Sequence, residues 1–167
     1  SCGTALKHIG TRALWNAKKL TYLKFSPTLE TIGDYAFCGF NGVTGVDLPS
    51  SLTSIGRFAF ANMYNLSYFN SYLNFLPNGL KTIGDYAFYN SGGTYRLTVP
   101  DSVTELGVGA FQDSRIPSIT LSDSLTDIPS YCFKCGSFDE LVIPDGVTTI
   151  GYEAFVNPPA SITIPAS

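Results

Sequence analysis

Ile83-Gly84-Asp85-Tyr86-Ala87-Phe88 decides how this 167-residue chain is read, because the stretch recurs. It returns as Ile32-Gly33-Asp34-Tyr35-Ala36-Phe37, as Ile55-Gly56-Arg57-Phe58-Ala59-Phe60 and as Ile150-Gly151-Tyr152-Glu153-Ala154-Phe155. Weaker copies begin at Ile9, Leu106 and Ile128. The steps between first residues are 23, 23, 28, 23, 22 and 22, and self-similarity at such a period marks a solenoid, in which each unit packs only on its neighbours.

Aligned, the copies show columns with physical reasons. The first position is always a branched aliphatic, and three residues before it stands Leu6, Leu29, Leu52, Leu80, Val103, Leu125 or Val147. The fifth position is small (Ala13, Ala36, Ala59, Ala87, Ala110, Cys132, Ala154) and the sixth is large, Leu14 followed by six Phe. Small beside large at fixed spacing lets stacked layers interdigitate at crystal-like density. Burial of each large side chain is worth roughly 1.5–3 kcal/mol, and the Phe column is expected to form a spine of stacked rings.

A second apolar set follows each Phe with the spacing L-x-x-L-x-L: Leu20, Leu23, Phe25; Val43, Val46, Leu48; Ile116, Ile119, Leu121; Phe138, Leu141, Ile143. Its last two positions alternate, as a strand with one buried face does, and they persist at Leu97 and Val99 and at Ile162 and Ile164. Turns of the type Pro100-Asp101-Ser102 and Pro144-Asp145-Gly146 come next: Pro ends the strand and Asp, Asn or Ser closes the turn.

L-x-x-L-x-L followed by Pro-Asp-Ser-Val-Thr-x-x-Ile-Gly-x-x-Ala-Phe resembles the BspA-type leucine-rich repeat, over essentially the whole chain. The resemblance implies a right-handed leucine-rich repeat solenoid of about seven repeats of 22–23 residues. One parallel β-sheet is expected to line the concave side, with short helical turns around the Ala-Phe pairs and short strands opposite. With neighbouring strands about 4.8 Å apart, the slab is roughly 30–35 Å long. The family is abundant among surface proteins of anaerobic bacteria and some parasitic protozoa, which implies a cell-surface or secreted location.

Two places depart from the pattern. The step of 28 inserts about five residues between Phe60 and Ile83. Counting forward puts the strand at Phe69-Asn70-Ser71, whereas counting back gives Leu76 the last inward position. The counts conflict, so the segment from Tyr68 to Phe75 is expected to bulge or loop out. In Ile128-Pro129-Ser130, Pro replaces the second-position Gly, which elsewhere is expected to supply an unusual backbone angle or a close approach. That repeat is expected to enter its turn differently. Residues 1–167 are read as a single domain that starts and stops in mid-repeat, hence a fragment of a longer array or one capped by segments outside this sequence. The chain opens on Ser1 without Met, so its true start is expected either to have been removed by processing or to lie outside this sequence.

Charged residues make up only 14% of the chain, against about 25% in an ordinary soluble domain, which suits an extracellular surface better than a cytosolic enzyme. Up to Lys24 there are five basic residues and no acid; from Glu30 onward there are five basic residues and 13 acids. The basic cluster (Lys7, Arg12, Lys18, Lys19, Lys24) is small and terminal: a solvated end repeat, or a contact for an acidic glycan or membrane surface, but not a nucleic-acid interface. No run of about 18 apolar residues exists, so no membrane insertion is expected.

Catalytic constellations are weak. Cys132 and Cys135 form a C-x-x-C without a second pair for zinc, and Cys132 fills the small-residue column; both read as structural thiols, with a strained local bridge the alternative. His8, the sole histidine, lacks a Ser-His-Asp or Cys-His set. Asp101 with Glu105 and Asp123 with Asp127 read as turn closers, not as paired catalytic carboxylates. No cofactor and no metal is expected, and the chain reads as a non-enzyme.

Binding is expected in two places. The insertion crowds Tyr64, Tyr68, Phe69, Tyr72 and Phe75, with Asn70 and Asn74, into a segment the repeat does not require; it is either a binding loop or a bulge tucked back on the repeat. Outward strand positions Tyr22, Lys24, Asp47, Arg96, Thr98, Thr120, Glu140 and Val142 are expected on the concave face. The function expected is an adhesin-like interaction module for a host or matrix protein or a glycan, set beside neighbouring repeats or domains of the full chain. The alternative is a structural spacer with no ligand of its own.

Overall fold

A computed structural model describes residues 5–69, 76–92, 96–157 and 160–165. Two kinds of short strand alternate along the chain. One kind ends in the first-position aliphatic: β1 (His8–Ile9), β3 (Thr31–Ile32), β5 (Ser54–Ile55), β7 (Thr82–Ile83), β9 (Glu105–Leu106), β11 (Asp127–Ile128) and β13 (Thr149–Ile150). The other carries the L-x-L set: β2 (Leu23–Lys24), β4 (Gly45–Asp47), β6 (Tyr68–Phe69), β8 (Arg96–Thr98), β10 (Ser118–Thr120), β12 (Glu140–Val142) and β14 (Ser161–Thr163). Every pairing is parallel and joins strands of successive copies, so the chain winds into a β-solenoid of about six turns. At the two ends Leu6 is 49% exposed and Ile150 44%, whereas Leu29, Leu52, Leu80, Val103 and Leu125 and the aliphatic Ile32, Ile55, Ile83 and Ile128 are buried, with Leu106 half-buried.

Between the strand kinds the sequence suggests a helical turn, but among the described residues there is no helix. The reason is a left-handed residue at the fourth and eighth positions of every copy. Tyr35 (φ 57°), Phe58 (φ 54°), Tyr86 (φ 55°) and Tyr131 (φ 61°) are fourth-position examples; Asn62 (φ 58°), Asn90 (φ 49°) and Asn157 (φ 55°) are eighth-position ones. A left-handed residue interrupts helical hydrogen bonding and turns alternate N–H groups out of the turn. Each copy keeps a local bond from the fifth-position N–H to the second-position carbonyl, as from Ala87 to Gly84 at 3.2 Å. The N–H groups of positions four, six and eight donate instead to the next copy: Tyr86 to Val108 O, Phe88 to Ala110 O and Asn90 to Gln112 O, at 2.8–2.9 Å.

Inside, the Phe spine forms as the columns predict. Phe37, Phe60, Phe88, Phe111, Phe133 and Phe155 stack nearly parallel with centroids 5.3–5.7 Å apart. The small fifth-position residues beside them are buried from Ala36 onward, Cys132 among them.

Most of the segment expected to bulge or loop out, residues 70–75, lies outside the described residues; its flanks are described, and the Pro129 copy differs from expectation. The insertion leaves the turn stack untouched, since Phe58, Phe60 and Asn62 still donate to Asp85, Ala87 and Tyr89. On the strand side the forward count holds at Phe69 and the backward count at Leu76, while Asn70 and Ser71 lie outside the described residues. Tyr68–Phe69 stays paired with β4 in the register Gly45↔Tyr68, Val46↔Phe69, and Leu76, buried, donates its N–H to Thr98 O at 3.1 Å. The ladder is thereby divided into a three-stranded and a four-stranded sheet.

At Pro129 the turn is ordinary: Tyr131 is left-handed as elsewhere, and Cys132 N–H bonds Pro129 O at 3.2 Å. What changes is the strand ladder. The second-position N–H of other copies donates to the aliphatic carbonyl before it, as Gly107 does to Ile83 O at 2.7 Å. Proline has no N–H to give. The sheet accordingly divides into β1-β3-β5-β7-β9 and β11-β13.

The second-position glycine serves close approach, not an unusual φ. A Cβ on Gly107 would lie 2.2 Å from the Asp85 nitrogen, whereas one on Gly10 meets nothing within 4 Å. Gly107→Ala is therefore expected to destabilise the fold by roughly 1–3 kcal/mol, the range for overpacked cores, and Gly10→Ala by under about 0.5 kcal/mol. Urea unfolding of the two variants side by side checks this, and equal effects would contradict the close-approach account.

Candidate functional site

The outward positions of the L-x-L strands form the candidate surface. Because inward Leu23, Val46, Leu97, Ile119 and Leu141 are buried, strand alternation turns their neighbours outward. On the three-stranded sheet, Tyr22 stands just before β2 and is 55% exposed; Lys24 is also exposed and is in register with half-buried Asp47. On the four-stranded sheet, Arg96, Ser118, Glu140 and Ser161 stand in one row. Thr98 and Thr120 share a second row, and Val142 with Thr163 a continuation of it. Arg96, Thr120, Glu140 and Val142 are exposed and Thr98 is half-buried. The structure thus brings Arg96, Thr98, Thr120 and Glu140 onto one sheet and Tyr22, Lys24, Asp47 and Tyr68 onto the other.

Two shallow cavities mark the four-stranded sheet. One of about 250 Å³ is walled by Ser118, Thr120, Glu140, Val142 and Asp123. The other, of about 450 Å³, shares Thr120 and Asp123 and adds Thr98, Asn78 and Asp101. Asn78, Asp101 and Asp123 were legible only as turn closers. Asp101 does close a turn, but across copies, its Oδ1 accepting the Asp123 N–H at 3.0 Å. The signal for their second position is that each turn follows its strand directly, so the turn residue borders the outward face.

Within the insertion, Asn70, Tyr72, Asn74 and Phe75 lie outside the described residues. Tyr68 is half-buried and its ring covers Gly45, where a Cβ would sit 1.9 Å from the ring Cζ. This tyrosine takes the tucked-back alternative. Tyr64 is exposed and belongs to the turn stack: its hydroxyl donates to Asn62 Oδ1 and accepts from Asn90 Nδ2, both at 3.3 Å.

Among the described residues no three of His, Cys, Asp or Glu are grouped to hold a metal ion. His8 Nδ1 lies 2.9 Å from Thr31 Oγ1 in the next copy, a rung of the stack. Cys38, Cys132 and Cys135 are free thiols, so the local Cys132–Cys135 bridge does not form. Burial pushes the Cys132 and Cys38 thiols up, away from the reactive thiolate. In a Cys2→Ser background, a thiol reagent is expected to label half-buried Cys135 in the native chain and Cys132 only on unfolding. Equal native labelling rates at the two positions would contradict this placement.

Two ion pairs join successive copies: Lys7 Nζ to Glu30 Oε1 at 2.8 Å and Lys134 Nζ to Glu153 Oε2 at 2.5 Å. The Lys134 bond, and after it one from Tyr152, holds the Glu153 carboxyl below its ordinary 4.5, while the bond to Glu153 raises Lys134 above its ordinary 10.5. A depressed carboxyl contributes stability above its unfolded value and loses it as pH falls through the folded one; a raised lysine contributes below its unfolded value and loses it as pH rises through the folded one. The deficit in melting temperature of Glu153→Gln against the parent is therefore expected to be greatest between pH 4.5 and 10.5 and to vanish in acid. A deficit independent of pH would assign the effect to packing.

Parallel stacking of single turns over the L-x-x-L-x-L columns defines a leucine-rich repeat solenoid. The chain belongs to the BspA-type leucine-rich repeat family: residues 7–76 and 69–167 match the BspA type leucine rich repeat region, in six copies. The crystal structure of a leucine-rich repeat protein from Bacteroides ovatus is similar, with TM-score 0.84 and 27% identity over 95% of this chain and 41% of that one. A Treponema pallidum leucine-rich repeat protein is 26% identical over 82% of this chain and 53% of that one, with TM-score 0.53. A leucine-rich cell surface protein from Faecalibacterium prausnitzii, 21% identical over 96% of this chain and 58% of that one with TM-score 0.53, shares the fold. This chain therefore spans well under two thirds of the length of these solved relatives. No curated protein matches it. Among the described residues no helix is long and apolar enough to cross a membrane.

Proposed function

We propose that this chain is a non-enzymatic interaction module of a cell-surface or secreted protein, adhesin-like, which binds a host or matrix protein or a glycan. The outward sheet face, which the family resemblance makes concave, is its contact surface. The observation that carries this reading is the row Arg96, Ser118, Glu140, Ser161 beside Thr98 and Thr120. Parallel register over a buried core fixes the backbone under each of these side chains, so little backbone ordering entropy opposes contact. The cavities on this face are shallow, which suits a broad partner better than one small substrate. The likeness to a protein named as a cell surface protein supports the location.

The tucking of Tyr68 over Gly45 favours the second reading, a spacer, for that part of the molecule. The charged and apolar side chains of the four-stranded sheet favour the first, since a spacer needs no Arg96, Glu140 or Val142 on an exposed row.

The test is binding of the labelled chain to arrayed matrix proteins and glycans, beside an Arg96→Ala/Glu140→Ala variant. Loss of at least about 1 kcal/mol of affinity, roughly fivefold, is expected for the variant. Undiminished binding would move the contact off this sheet, and no binding by a folded sample would favour the spacer.

A further inference from the structure

Arg12 and Arg57 lie on the turn stack, apart from the Arg96–Glu140 row of the proposed sheet contact, in the part of the chain richest in basic residues. Described residues through Lys24 carry Lys7, Arg12, Lys18, Lys19 and Lys24 and no carboxylate, and Arg57 joins them two copies on. Of these, only Lys7 is held in an ion pair among the described residues, with Glu30.

Arg12 and Arg57 are placed by rings. The Arg12 guanidinium carbon lies 5.4 Å from the centre of the Tyr35 ring and 5.8 Å from that of Trp15, and the Arg57 guanidinium carbon lies 5.8 Å from that of Tyr35. Tyr35 is fixed in turn, stacked on Phe58 at 4.9 Å with the rings 8° from parallel. The Arg12 backbone is fixed too, left-handed and with its N–H on Asp34 O at 2.8 Å. Trp15 is 57% exposed, beneath the Arg12 guanidinium. The nearby acid, Asp34, spends one carboxylate oxygen on the Arg57 backbone N–H at 2.8 Å.

A guanidinium held near an aromatic ring keeps its in-plane N–H fork free, and that fork matches a carboxylate or sulfate bidentately. Arg12 and Arg57 are two copies apart, about 10 Å along the stack at the usual strand spacing. Two ring-held forks about two repeats apart fit anionic groups repeated along a polymer. The exposed Trp15 ring supplies the apolar platform on which the C–H face of a sugar ring packs, and an acidic peptide has no need of it. We propose that Arg12, Trp15, Tyr35 and Arg57 form a binding site for an acidic polysaccharide, one bearing sulfate or carboxylate groups. The site is separate from the sheet surface and does not rest on that reading.

The experiment is calorimetric titration of the chain with heparin, neutral dextran and polyglutamate. Heparin is expected to bind and dextran not, and the binding to weaken as salt shortens the screening length from about 8 Å at physiological strength to about 3 Å at 1 M. Arg12→Gln/Arg57→Gln is expected to weaken heparin binding at least about tenfold, and Arg12→Lys/Arg57→Lys, which keeps charge but loses the forks, to fall between. Trp15→Ala is expected to weaken heparin and leave any polyglutamate binding unchanged. The Lys pair serves as the reference if the Gln pair fails to fold. The proposal is overturned by heparin affinity within about twofold of the parent in both arginine pairs, a margin below the usual worth of a charge-assisted bond. Polyglutamate binding as tight as heparin overturns it in favour of an acidic peptide. Loss of heparin binding in Arg96→Ala/Glu140→Ala but not in the arginine pairs overturns it while leaving the sheet-face reading standing.

Discussion

Everything in this molecule depends on backbone hydrogen bonds that leave one turn for the next. Left-handed residues at positions four and eight aim the N–H groups of positions four, six and eight at the following copy, with three rungs at each of the six interfaces. A left-handed tyrosine or phenylalanine costs of order 1–3 kcal/mol, and the strain is tolerated because the surroundings over-determine it. Those surroundings include the rungs, each worth about 0.5–1.5 kcal/mol net, and the ring packing they enforce. On one side of the turn lies the Phe spine; on the other Tyr35, Phe58 and Tyr86 stack at 4.9 Å. Both ring columns exist because the turn repeats at a fixed rise.

The turn stack is more tolerant than the sheets. Pro129 removes one ladder donor and the aliphatic sheet divides there; residues inserted between Phe60 and Ile83 divide the L-x-L sheet. Neither interrupts the rungs of the turn stack or the stacked Phe rings. The solenoid has three parallel ladders, and a defect in one is bridged by the others. An array built in this way accepts an insertion on its strand side while the turn stack continues past it.

The two proposed contact sites use the two faces so formed. The outward strand rows offer mixed polar, charged and apolar side chains on a fixed frame. The turn stack near its first copies offers ring-held arginines and an exposed indole. In both cases the fold contributes preorganisation, which lowers the entropic cost of binding.

The sequence by itself determined the period, the solenoid and the core, because small, large and branched positions repeat wherever layers must interdigitate, and its resemblance to the BspA-type repeat implied the parallel sheet. It also placed Arg96, Thr98, Thr120 and Glu140 on one outward face, since strand alternation has a period of two. Three things only the tertiary structure decided. The expected helical turns are left-handed-punctuated turns, because the N–H groups that would close a helix have better acceptors in the next copy, and that neighbour is invisible to local propensity. The forward strand count holds at Phe69 and the backward count at Leu76, because one end of the insertion pairs backward with β4 and the other forward beside β8. The Arg12–Tyr35–Arg57 cluster joins residues 23 and 22 positions apart in sequence, and a column of Arg, Tyr and Phe does not reveal which way its side chains point until the backbone φ at position four is known.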